Sequence, residues 1–81
     1  MEIIAKPRLF WFLKEGSRLD LNKPSELDLY VQQVLTRGGS QDVKELLRIL
    51  EPESFRSSFA RVKPFVPLDV RSFWEDFLGN R

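Results

Sequence analysis

The chain has 81 residues, with 13 Lys and Arg against 12 Asp and Glu and neither cysteine nor histidine. That length leaves room for one core with a margin of roughly 3–5 kcal/mol, and the missing side chains exclude zinc, haem, iron–sulfur and thiol chemistry. A net charge of +1 with the two signs interspersed gives no general attraction for nucleic acid or anionic lipid.

Residues 1–22 read as an irregular arm. Ile3-Ile4-Ala5 and Leu9-Phe10-Trp11-Phe12-Leu13 are apolar without clear period, Pro7 separates them, and Gly16-Ser17 breaks the chain after them. A short helical turn or strand-like piece packed across the rest is expected. The start lacks the basic residues and long apolar stretch of a signal peptide, and no apolar run approaches the ~20 residues of a membrane span. A cytoplasmic location without membrane attachment is the expectation.

The remainder, residues 23–79, reads as a helical core. Leu27, Tyr30, Val31, Val34 and Leu35 make one stripe and predict a first helix over 25–37. Asn22 or Ser25 is its expected N-cap, and Gly38-Gly39 closes it by taking up a left-handed conformation. Ser40 is the expected N-cap of a second helix, running to residue 50 with Val43, Leu46, Leu47 and Leu50 inward. Glu51-Pro52 ends it, because proline disfavours the helical conformation in the residue before it and suits the first turn of the next helix. A third helix over 52–62 buries Phe55, Phe59 and Val62. Lys63-Pro64-Phe65-Val66-Pro67 is a stiff connector. A fourth helix over 67–78 places Val70, Phe73, Trp74, Phe77 and Leu78 on one side, with Gly79 as its stop. The expected fold is all-α, a single domain over 1–81 in which about four short helices form a compact bundle beside an aromatic N-terminal arm.

No catalytic constellation stands out. Without histidine the commonest base for an activated nucleophile is missing. Ser40 with Lys44 and Ser17 with Lys14 are near in sequence, but capping accounts for Ser40 and both lysines look solvated. The acid pairs Glu75-Asp76, Glu51 with Glu53, and Asp42 with Glu45 fall at helix ends or on polar faces, where carboxylates are ordinarily hydrated or favoured by the helix dipole. Gly38-Gly39-Ser40 lacks the remainder of a phosphate loop. No enzymatic activity, cofactor, metal or small-molecule substrate is expected.

The second and third helices, joined at Glu51-Pro52, also read as a helix-turn-helix. In that alternative Ser54, Arg56, Ser57, Ser58 and Arg61 face DNA, with Arg48, Lys63 and Arg71 near phosphates. Against it, Glu51 and Glu53 would lie beside phosphate.

Ten aromatic residues in so short a chain favour a different reading. Exposed aromatic clusters mark protein contacts, where such side chains carry much of the binding energy. Phe10 and Trp11 are the expected anchors, with Arg8 and Lys14 as rim charges. The function expected is a protein-interaction module whose partner is another protein or a second copy of the chain.

Leu9-Phe10-Trp11, Leu19-Asp20, the run Tyr30 to Gly38, Asp42-Val43 and Phe73-Trp74 together resemble a family of short bacterial proteins of unknown function. The likeness spans about residues 9–78. It implies a helical fold and an antitoxin-like or regulatory role beside nucleotidyltransferase-type toxins of abortive-infection systems, with no catalytic residue to carry over. The chain departs from the family's pattern at Phe12-Leu13, where an acidic residue is usual, and at Leu50-Glu51-Pro52, where a tyrosine–glycine turn is common.

Overall fold

The computed structural model describes residues 1–14 and 16–78. Two three-residue strands, β1 (Glu2–Ile4) and β2 (Arg18–Asp20), are followed by the helices α1 (Pro24–Arg37), α2 (Ser40–Ile49), α3 (Pro52–Val62) and α4 (Leu68–Phe77), with a 3-10 turn over Lys63–Phe65. The mostly helical architecture agrees with the sequence reading. No described helix is long and apolar enough to cross a membrane.

The arm is more ordered than its lack of period suggests. β1 and β2 pair antiparallel in the register Glu2–Asp20, Ile3–Leu19 and Ile4–Arg18. The pairing extends at both ends, Ala5 donating to the Ser17 carbonyl and Leu21 to that of Met1, each at 2.8 Å. Two strands alone are marginal in water, and this ribbon is held because Ala5, Leu9, Phe10, Leu19 and Leu21 enter the same buried cluster as the helices. Gly16, at φ +85°, supplies the left-handed residue ahead of β2.

Pro24 opens α1, where a missing N–H costs nothing. Its N-cap is Lys23, with no side-chain cap, instead of Asn22 or Ser25. Glu26 turns back to accept the backbone N–H of Asp20 at 2.9 Å, and Asp20 accepts that of Asn22 at 3.0 Å. These acidic side chains fasten β2 to the helix start. Along α1 the predicted stripe of Leu27, Tyr30, Val31, Val34 and Leu35 is buried throughout.

The end of α1 corrects the expected role of Gly38-Gly39. Gly38 has φ −78° and donates to the Val34 carbonyl at 2.9 Å, so a left-handed cap is not used. Space is what it supplies: a Cβ on Gly38 would lie 2.6 Å from the Val34 carbonyl oxygen and 3.0 Å from Asp42 Cβ. Gly39, not Ser40, is the N-cap of α2, and the Asp42 carboxylate accepts its N–H at 2.9 Å, which is half of a capping box.

The inward face of α2 also differs from the expected stripe. Leu46 is buried, Val43 and Leu50 are partly buried, Leu47 is exposed, and Asp42 is buried at 3% exposure. In α3 the predicted Phe55, Phe59 and Val62 are buried as expected, joined by Ser58. Ser58 donates to Asp28 on α1 at 2.7 Å, and the Arg61 guanidinium grips the same carboxylate at 2.7 and 2.9 Å. Burial pushes the Asp28 pKa up, but the Arg61 and Ser58 hydrogen bonds and the Arg61 charge outweigh it and hold it below its ordinary value.

α4 starts at Leu68 with Pro67 as N-cap, and Trp74 is its one buried residue. The Trp74 ring meets Phe55 edge-on, 5.2 Å between centroids at 88°. Phe73 and Phe77, assigned by their spacing to the core-facing side, are exposed. Val70 and Leu78 pack against the core only in part, which leaves Phe73 and Phe77 to line a surface. The proposed stop at Gly79 lies outside the described residues.

Candidate functional site

The arm is fastened to α2 by charge. Arg8 donates to both carboxylate oxygens of Asp42 at 2.7 Å, the two-pronged geometry a planar guanidinium favours. Lys6 reaches Asp42 at 3.4 Å and Glu45 at 3.3 Å. Hydrogen bonds from Arg8 dominate in drawing the Asp42 pKa far below the usual carboxylate range; burial opposes them, and the Gly39 N–H and Lys6 add to the lowering. Asp42 is therefore a buried structural anion and not the hydrated acid expected of it. Arg8, expected as a rim charge, is committed to that anion.

Of the two expected anchors only one faces solvent. Phe10 is 2% exposed and belongs to the core, whereas Trp11 is 58% exposed and Phe12 stands beside it, likewise exposed. Successive side chains cannot share a direction in regular backbone, and the bonds from Leu9 and Phe10 N–H groups to the Lys6 carbonyl turn this segment so that Phe10 goes inward. Trp11 is braced on both sides. Phe12 meets its ring edge-on at 5.2 Å, and the Arg37 guanidinium lies over it at 4.4 Å from the centroid, a cation–π contact. Lys14 is exposed, its carbonyl accepting the Ser17 N–H.

A second apolar surface lies between α4 and the corner joining α1 to α2. This cleft of ≈ 540 Å³ is walled by Val34, Leu35 and Gly38 on one side and by Val70, Phe73 and Trp74 on the other. Its two charged lining residues stand on different helices, Lys44 on α2 and Asp69 on α4. The Phe73 ring meets Trp74 edge-on and stacks near-parallel on Phe77, 6.3 Å away at 19°. The cleft exists because the Gly38-Gly39 corner carries no side chains to fill it and because α4 is held by buried Trp74, with Val70 only partly buried against the core. Sequence reading missed it, though one signal was present: five large apolar residues on ten positions of α4 is more than one contact line can bury.

The α3 residues of the DNA-facing alternative are separated by their bonding. Arg61 is tied to Asp28, Arg56 donates to the Leu78 carbonyl at 2.8 Å, and Lys63 reaches Glu75 at 3.4 Å. Ser54 and Arg71 are half-buried, Ser57 and Arg48 are exposed, and Ser58 does not face outward at all but is buried against Asp28. Three of the five cations therefore already have acceptors within the fold. Ser40 and Lys44 are both exposed, and among the described residues no group of three or more acids could hold a metal ion.

Set against family models, curated proteins and solved structures, the chain matches none, so its surfaces have to be judged on their own chemistry.

Proposed function

We propose that this chain is a non-enzymatic protein-interaction module of the cytoplasm that works through the aromatic cleft beside α4, with Trp11 and Phe12 as a second contact. One observation carries the reading. Half of the ten aromatic residues, Trp11, Phe12, Phe65, Phe73 and Phe77, remain exposed after the core has taken Phe10, Tyr30, Phe55, Phe59 and Trp74. Aromatic side chains held on a packed scaffold, surrounded by polar residues, are the usual anchors of a protein contact. Pre-organisation adds to this: Trp11 is braced by Arg37 and Phe73 by Trp74 and Phe77, so little side-chain freedom remains to be lost on binding. The motif resemblance supplies a partner class, a bacterial nucleotidyltransferase-type toxin, and an antitoxin-like role. The intramolecular bonds of Arg56 and Arg61 on α3 and of Lys63 just after it favour this reading over DNA contact.

The test is comparative. Tagged wild-type chain, Trp11→Ala and Phe73→Ser would each be used to capture proteins from the native host, after circular dichroism has shown unchanged helical content. The expected result is one partner held by the wild type and lost, at least tenfold, by one or both variants. Equal retention by all three chains would refute the aromatic surfaces as the working part.

A further inference from the structure

We infer that the cleft beside α4 is filled by α4 of a second copy of this chain, so that the protein pairs about a two-fold axis. The inference rests on the protein-contact reading above and assigns the cleft to self-association, leaving Trp11 and Phe12 as the contact for a foreign partner. α4 presents Val70, Phe73 and Phe77 at i, i+3 and i+7, the spacing with which an amphipathic helix seats in an apolar groove, and it borders a groove of that kind. Phe73, which lines the groove, and Phe77, stacked on it, are 59% and 62% exposed.

Charge selects the occupant. The cleft is lined by one cation and one anion on different helices, Lys44 on α2 and Asp69 on α4. Among the described residues no ion pair joins them, and Lys44 has no carboxylate within 4.0 Å. Among the described residues the Asp69 carboxylate accepts only the neighbouring Val70 N–H, at 2.9 Å. In a two-fold contact residue i of one copy meets residue j of the other, and j meets i. Exchanging α4 helices sets Asp69 of each copy against Lys44 of the other, so both charges are met at once. A foreign helix would need a matching anion and cation of its own. The net charge of +1 puts little repulsion between copies. Phe73 and Phe77 offer roughly 250 Å² of apolar surface per copy, the centre of a small interface, so association in the micromolar range is expected.

Sedimentation equilibrium over about 1–500 µM tests this. The full chain should pass from 9.6 kDa to twice that mass, and Phe73→Glu should stay at the lower mass with its helical content intact. The decisive measurement uses two charge reversals. Lys44→Glu alone brings two carboxylates face to face across the contact, and Asp69→Lys alone brings two ammonium groups face to face, so each should weaken pairing at least tenfold. Mixed in equal amounts, the two variants restore both attractions and should form a one-to-one dimer. A wild type that is monomeric throughout the range overturns the inference, as does a dimer unaffected by Phe73→Glu or a mixture that fails to pair. A monomer that still captures a different protein through Phe73 would overturn the two-fold pairing while leaving the interaction function intact.

Discussion

Arg8 and Asp42 are 34 positions apart in the chain, yet the two terminal guanidinium nitrogens of Arg8, Nη1 and Nη2, meet the Asp42 carboxylate at 2.7 Å. The pair joins the N-terminal arm to the first turn of α2 and fixes the same carboxylate for the Gly39 N–H. Its carboxylate is buried and its guanidinium is 59% exposed, so solvent screens the pair in part while the anion still depends on its donors.

Acid should therefore loosen the arm before it melts the helices. Asp42 has its pKa lowered on folding, so it binds protons more readily when unfolded, and the stability it adds is present above the unfolded value of ~3.9 and lost as pH falls toward the folded value. An acid titration of a Trp74→Phe variant, whose fluorescence reports Trp11 alone, should show the change beginning below about pH 4. Asp42→Asn should lower the melting temperature at neutral pH by about 5 °C or more and flatten the acid dependence. An unchanged acid profile in Asp42→Asn would show that another group controls it.

At the α1–α2 corner the two adjacent glycines should behave differently. The Gly38→Ala methyl would lie 2.6 Å from the Val34 carbonyl oxygen, a backbone atom that cannot swing away, and the cost should be about 1–3 kcal/mol. Gly39 has open space around its Cβ position and extended backbone, φ −93° and ψ −173°. Gly39→Ser should stay within ~0.5 kcal/mol of wild type or gain slightly as an N-cap. Urea denaturation of the two variants decides; equal losses would contradict the close approach at Gly38.

Tyr30 is the single tyrosine, so phenolate absorbance reports it alone. Burial, followed by the charges of Glu45 and Asp42, pushes its pKa up to about 12, against ~10 in an unfolded chain. The native protein should ionise Tyr30 near the higher value and the urea-unfolded chain near the lower. Because folding favours the neutral phenol, stability should fall as pH rises above about 10. Native ionisation near 10 would mean that the ring is not held as described.

Two neighbours on α4 should separate anchoring from binding. Trp74→Ala removes the helix's buried side chain, at a typical ~3–5 kcal/mol, comparable with the whole margin of a chain this short, and should release α4 or unfold the protein. Phe77→Ser changes an exposed residue and should cost less than ~1 kcal/mol. Similar thermal losses in both would place Phe77 in the core.

Sequence periodicity by itself determined the four helices and the buried stripes of α1 and α3, because each of those faces packs along its full length and a 3.6-residue repeat has one inward side. Pro24 and Pro52 fixed starts locally, through a missing donor that a helix N-terminus does not need. Tertiary structure alone decided what became of surplus apolar residues and of long-range charges. Phe73 and Phe77 fit their stripe as well as Trp74 does, but only Trp74 found Phe55 to rest on. Phe10 and Trp11 are adjacent and chemically alike, and their opposite fates follow from a turn whose carbonyl acceptor is Lys6. The partnership of Arg8 with Asp42 left no trace in spacing, since an ion pair across 34 positions depends on where two elements meet and on no pattern within either.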